Sequence, residues 1–354
     1  MLVVTTPAPP EPSHPGPTPP EPSQPAPTTS GGGATRTQCP RDADLPHLVA
    51  AALARWGLRG ADVVGVRRSY NTVVHVEVGH RHLALRVAPR VGVHAPGSDE
   101  AERTLLDHLA AAGAAVPRVH PTIDGAASTT VDGPHGRVTC MLLDWVPGSE
   151  VPRPATPGDA ADLGRLSATL HDAAPTAPGP PSGVLDGRRV LTFHVPDRLG
   201  EAGDHAPLLL AARASAQRAL DDLWSSAPEP PRLLHGDLTP ANVVRSGDRL
   251  VPIDFQDALR GHPEQDVAIT LVRLARDDAA DGGERCAAFR AGYEAVRPWP
   301  LTPDVAPHLA AARSVQLANL GLVLRNPGLA EHLDLHARAL RPYVERSGAA
   351  AADR

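Results

Sequence analysis

In the stretch LLHGDLTPANVVRSGDRLVPIDFQD, residues 233 to 257, two aspartates and an asparagine stand between short apolar runs. Val243 to Arg245 and Leu250 to Ile253 read as short strands, and Ser246, Gly247 and Asp248 supply hairpin turn residues between them. Asn242 and Asp254 then lie at the open end of that hairpin. Paired strands run roughly 5 Å apart, so an amide oxygen and a carboxylate there can share one hard cation of the Mg2+ type. Asp237 precedes Asn242 by five positions, and Gly236 and Pro240 hold the loop between them in a non-helical path. Its natural role is to orient a hydroxyl nucleophile and accept its proton, with Asn242 and Asp254 holding Mg2+ on nucleotide phosphates. Asx-turn and capping roles are the alternative for each residue alone. They lose ground because all three fall at one end of one hairpin.

The elements that position these groups follow from periodicity. From Asp44, DLPHLVAAALARWGL has helical spacing and a stopping Gly57, and the next stretch alternates with β-branched residues as three antiparallel strands. SDEAERTLLDHLAAAG reads as a helix with Ser98 as N-cap and Gly113 as stop, and RVTCMLLDWVPG as a buried strand entering a turn. GDAADLGRLSATLHDAA is helical, as are most of 205 to 225, 264 to 276, 283 to 296 and 304 to 345. The expected organisation is a proline- and glycine-rich disordered tail over 1–40, an α+β N-lobe over 41–148, a mainly helical C-lobe over 149–346, and a short disordered tail over 347–354.

HGDLTPAN followed by IDF resembles the catalytic loop and metal-binding segment of the aminoglycoside phosphotransferase and choline kinase-like family. GAAVPRVHPTIDG, MLLDWVPG and LGRLSATLH are similar to that family's first-lobe strands, interlobe hinge and following helix, so the resemblance covers about residues 45 to 345. It implies a bilobal protein-kinase-like fold of the α+β class, with ATP and Mg2+ in the cleft and γ-phosphoryl transfer to a small-molecule hydroxyl. Within it Asp237 is the base or hydroxyl-orienting group, and Asn242 and Asp254 are the metal ligands. The hinge strand, represented by Leu143 and Trp145, supplies backbone groups to the adenine. Asp266, in HPEQDVA, braces the catalytic loop. His235 and His171 are expected to be structural.

The same fold places a phosphate-binding lysine on its third strand, paired with a helix glutamate. In HLALRVAP that position is Arg86; the chain contains no lysine at all. An arginine keeps the charge and binds phosphate or carboxylate bidentately, with a different reach from an ammonium. Glu102 is its expected partner, with Glu100 as the fallback. The turn in RRSYNTVV occupies the place of the phosphate-covering loop without its glycines; Ser69, Asn71 and Thr72 there are either phosphate donors or plain hairpin residues. These departures leave open a nucleotide-binding regulator, or a kinase of protein serine and threonine, as the alternative reading.

Composition excludes other classes. A formal charge of −6 supplies no basic field for nucleic acid, and no run of about eighteen apolar residues is present to span a bilayer. Cys39, Cys140 and Cys286 are too scattered for a disulfide framework, and the first residues have neither the basic nor the apolar region of a secretory signal, which fits a cytoplasmic protein. The acceptor is open: Asp257, Asp277, Asp278 and Asp281 suit a cation, whereas Arg313 and Arg325 suit an anion.

Overall fold

The computed structural model describes residues 45–88, 92–133, 136–177, 179, 181–276 and 281–352. The tail expected over 1–40, Cys39, Asp277 and Asp278 lie outside them.

The apolar stripe of α1 (Leu45–Leu53) buries Leu45, Leu48, Val49, Ala52 and Leu53, and Gly57 ends the segment in the left-handed conformation that glycine adopts without a Cβ penalty. Three strands follow: β1 (Asp62–Arg68), β2 (Thr72–Val78) and β3 (Arg81–Val87). They pair antiparallel in sequence order. Helix α2 (Ser98–Ala111) begins one residue earlier than its polar start suggested: Gly97, at φ 88°, is the N-cap, and Ser98 is already helical with no capping side chain. Gly97 O accepts the Ala101 N–H in place of the expected serine cap. Three further strands, β4 (Val119–His120), β5 (Ser128–Gly133) and β6 (Gly136–Asp144), complete the sheet, with β6 between β3 and β4 and also paired to β5. Valines and leucines of β2, β3, β5 and β6 alternate inward to meet α1 in one core.

Beyond Asp144 the chain turns helical. A two-residue strand, β7 (Ser149–Glu150), joins the edge of the later hairpin. α3 (Pro157–Ala173) opens with a capping box between Thr156 and Asp159. After β8 (Leu185–Asp186) come α4 (Ala206–Ser226), β9 (Arg232–Leu234), β10 (Val243–Ser246), β11 (Arg249–Pro252) and β12 (Leu259–Gly261). The chain ends in α5 (Pro263–Arg276), α6 (Gly282–Glu294), α7 (Ala306–Leu324) and α8 (Leu329–Ala352). The region 304 to 345, expected to be mostly helical, divides at Arg325, a left-handed C-cap two residues before Pro327. α8 runs on to Ala352, so residues 347–352, expected in a tail, are helical.

Two packing features fix the frame of the site. A Cβ on Gly164 of α3 would sit 2.0 Å from Phe289 O, and one on Gly292 of α6 would sit 2.0 Å from Ala161 O. The two helices therefore meet backbone to backbone, which only glycine permits. The second feature is a continuous core in which Leu105, Leu106 and Leu109 of α2 and Met141 and Leu143 of β6 join Leu238, Phe255 and the C-lobe helices. No described helix is long and apolar enough to cross a membrane.

Candidate active site

Strands β10 and β11 pair antiparallel with Val243 opposite Pro252, and the ladder continues through an Ile253 N–H donated to Asn242 O at 2.9 Å. Asn242 and the Ile253–Asp254 step thus share the open end of the hairpin, while Gly247, at φ 64°, closes the other end. Asn242 Nδ2 donates to both Asp237 O and Asp237 Oδ2, each at 2.8 Å. With its amide hydrogens committed to Asp237, its Oδ1 is left as an acceptor.

Asp254 is held in the left-handed region at φ 63° and ψ 66°, an uncommon conformation for a non-glycine residue. Its Oδ1 is buried and has no hydrogen-bond partner; Arg86 Nη1 lies 3.7 Å from it. Burial raises the Asp254 carboxyl above the usual range against the pull of Arg86. An orphaned carboxylate oxygen beside an acceptor-only amide oxygen fits a hard divalent cation. No group of three His, Cys, Asp or Glu side chains among the described residues forms a metal cage. Asn242 and Asp254 are the residues that would hold such a cation.

Asp237 is gripped from two sides: Oδ2 by Asn242, and Oδ1 by Arg313 Nη2 of α7 at 2.7 Å. Burial pushes its carboxyl up to about 6, with the Arg313 charge opposing and Asp257 and Asp254 adding to the rise. The loop below is tied down in several places. Gly236 N–H donates to Asp266 Oδ1 at 2.9 Å, and Thr270 Oγ1 donates to Leu238 O at 2.6 Å. Asp266 Oδ2 meets His171 Nε2 at 3.1 Å, and His171 Nδ1 meets the Tyr293 hydroxyl at 2.9 Å, so the glycine-mediated helix contact also braces the loop. His235 Nδ1 accepts the Asp237 N–H at 3.3 Å and its Nε2 donates to Ile253 O at 3.1 Å, a pairing that puts the ring proton on Nε2. Gly236 has a positive φ of 80°, and a Cβ there would fall 1.9 Å from Asp257 O. That approach leaves no room for any side chain between histidine and aspartate.

Across the cleft, Arg86 Nη1 and Nη2 donate to Glu102 Oε1 and Oε2 at 2.8 and 2.5 Å, and both side chains are buried. Burial opposes the guanidinium charge, but Glu102 outweighs it, followed by Asp254 and Asp99, and holds Arg86 above the ordinary arginine value. Glu100 instead accepts from Ala127 N–H and Arg103.

Three of the expected binding residues sit differently from what their sequence positions suggest. Asn71 donates its amide to Gln256 Oε1 at 2.5 Å, so it links the first-lobe turn to the segment after Asp254 instead of offering that amide to phosphate. Thr72 is fully buried opposite Val87 because strand alternation turns it inward; Ser69 alone of the three is exposed. Trp145 N–H is donated to His82 O at 3.2 Å, and its indole stacks on His75 at 3.8 Å, so that donor is not open to an adenine. Leu143 faces the core shared by both lobes.

Sequence reasoning did not foresee the Arg313 contact, the Asn71–Gln256 link or the His94 Nε2 contact to Asp257 Oδ1 at 2.7 Å. Asp257 nevertheless ends below the usual carboxylate range, because the His94 bond and charge, with Arg313, outweigh burial. Arg325 is exposed at the end of α7, and Asp281 is exposed at the start of α6.

A small sheet lobe over a helical lobe, with this hairpin at their junction, is a protein-kinase-like fold. A solved structure described as a microcompartment-associated aminopropanol kinase superposes with a TM-score of 0.65 at 21% identity, covering 86% of this chain and 98% of that one. The model of the phosphotransferase enzyme family matches residues 64–299, and the chain belongs to that family. An uncharacterized protein of Deinococcus radiodurans is 30% identical over 75% of this chain and 78% of its own length. A homoserine kinase of Granulibacter bethesdensis is 30% identical over 54% of this chain and 59% of its own length.

Proposed function

We propose that this phosphotransferase moves the γ-phosphoryl group of ATP, with Mg2+, to a hydroxyl of a small-molecule acceptor of the homoserine, amino-alcohol or aminoglycoside kind. The observation that carries this reading is the convergence at one hairpin end of Asp237, the Asn242 acceptor oxygen and the unpartnered Asp254 Oδ1. Asp237 orients the acceptor hydroxyl and takes its proton as the new O–P bond forms and the bond to the bridging β,γ oxygen breaks, releasing ADP. Asn242 steers Asp237 from one side, and Asp266, through Gly236 N–H, keeps the loop from shifting. Arg86, braced by Glu102, presents a fixed positive charge to the nucleotide phosphates, and the strand bearing Leu143 would offer backbone groups to the adenine. Mg2+ on Asn242 and Asp254 would neutralise charge on the phosphates.

Mg2+-dependent consumption of ATP across a panel of hydroxylated metabolites and aminoglycosides tests the reading. Asp237→Ala is expected to abolish turnover with ATP affinity retained. ATP binding without turnover on every acceptor would instead identify a nucleotide-binding regulator.

A further inference from the structure

Beside Asp237, on the helical-lobe side, lies a partly open pocket walled by Phe193, Leu259, Leu309 and other apolar side chains. Its charged and polar lining is Arg189, Arg313, Asp257, Thr192, Gln265 and Gln316. Arg313 is nearly buried and aimed at the reacting end: Nη2 meets Asp237 Oδ1 at 2.7 Å and Nη1 donates to Gln316 Oε1 at 2.6 Å. Gln316 is itself anchored on the Thr192 hydroxyl, so the guanidinium is held from behind. Arg189 is exposed at the rim.

We propose that the acceptor carries a carboxylate a few atoms from the hydroxyl that is phosphorylated, and that Arg313, with Arg189 at the rim, is the group that reads it. The proposal rests on the kinase reading above and names the acceptor class within it. Two observations converge. First, the pocket is lined by two arginines and one aspartate, and that aspartate, Asp257, is already bonded to His94. A cationic acceptor entering it meets no uncommitted carboxylate among the described lining residues. Second, among the described residues the Arg313 guanidinium pairs with one carboxylate, and that partner is the group the hydroxyl must reach. An acceptor carboxylate gives Arg313 a planar bidentate partner and leaves Asp237 Oδ1 to the hydroxyl. An acceptor lacking the carboxylate would leave Arg313 on Asp237 and is rejected on that account.

The test uses the full chain with Mg2+ and a non-hydrolysable ATP analogue, titrated calorimetrically with L-homoserine, 4-hydroxybutyrate and the methyl amide of each. The expected result is that at least one acid binds at least about tenfold more tightly than its amide. Arg313→Gln should remove the difference, and Arg313→Lys should restore part of it. Arg189→Gln should raise KM for the acid with kcat retained. Equal binding of acid and amide, including no binding of either, overturns the proposal, as does an acid preference that survives in Arg313→Gln. The two readings fail separately. Turnover that depends on Asp237 but is confined to neutral or cationic acceptors sinks the carboxylate site and leaves the kinase standing. Acid-selective binding that depends on Arg313, without Asp237-dependent turnover, supports the anion site and removes the kinase reading.

Discussion

Arg86 and Glu102 face each other fork to fork, with both guanidinium nitrogens on both carboxylate oxygens and both side chains removed from solvent. This is the position where the fold ordinarily uses a lysine, and the pairing shows how an arginine occupies it. The planar fork lies flat on Glu102, and Nη1 stays within 3.7 Å of Asp254 Oδ1. Arg86→Ala leaves Glu102 buried without a counter-charge and should cost about 3–5 kcal/mol of stability in denaturant titrations. Arg86→Lys keeps the charge but loses one of the two bonds, about 1.5–3 kcal/mol. A double replacement, Arg86→Met with Glu102→Leu, should recover stability without recovering ATP affinity, which calorimetric titration with ATP would show.

Asn71 and Gln256 hold the first-lobe turn against the segment following Asp254. Removing the amide in Asn71→Ala leaves the buried Gln256 oxygen unsatisfied, at about 1–3 kcal/mol. Because the bond spans the cleft, the variant should also bind nucleotide less tightly. Hydrogen exchange should speed up in both segments together; an effect confined to the turn would refute the link.

Gly236 tolerates no Cβ against Asp257 O. Gly236→Ala must push the loop bearing Asp237 away from the hairpin, and a shift of about 1 Å costs on the order of 100-fold in kcat. The melting temperature should fall far less than in Gly164→Ala, where the added methyl separates α3 from α6 and loosens the His171 and Tyr293 brace.

With burial raising Asp237 to about 6, turnover should decline as pH drops through that value, following a single proton. Above it the carboxylate is ionised and can take the hydroxyl proton. Removing the opposing charge in Arg313→Gln should move the midpoint upward, as a pH profile of kcat/KM would record. A midpoint that stays in place would argue against direct contact.

His336 is buried on α8 with Nδ1 unpartnered, and burial lowers it to about 3, with the neighbouring His332 adding to the fall. The folded state keeps it neutral while the unfolded chain takes up a proton near 6.5. The unfolded state therefore binds more protons between these values, and stability is lost as pH falls from about 6.5 toward 3, by up to about 1.4 kcal/mol per pH unit. Melting curves of wild type and His336→Leu should diverge progressively below pH 6.5; parallel curves would contradict the assignment.

Much of the site was legible in local spacing. A strand, a glycine-containing turn and a returning strand bring Asn242 and Asp254 to one end whatever the remainder of the chain does, because strand pairing is set by alternation and turn chemistry. Ser98 was misread as a cap because a polar residue before an acidic turn has the same pattern whether or not the preceding glycine carries the turn. The surroundings of Thr72 and Trp145 were not legible for a different reason. Only the surrounding packing decides that the Thr72 hydroxyl is turned into the core and that the Trp145 N–H is already given to His82 O.

The sequence by itself determined the local geometry of the candidate site and the charge at position 86, since HGDLTPAN and IDF encode their geometry over a few residues and arginine stays charged in any setting. The tertiary structure decided who holds whom. Arg313 reaches Asp237 across 76 positions and Asn71 reaches Gln256 across 185, and no periodicity connects residues so far apart. Such contacts exist only once helices and sheet have packed. The side of the cleft where an acceptor meets charge therefore follows from how α7 lies against the hairpin and cannot be read from either segment alone.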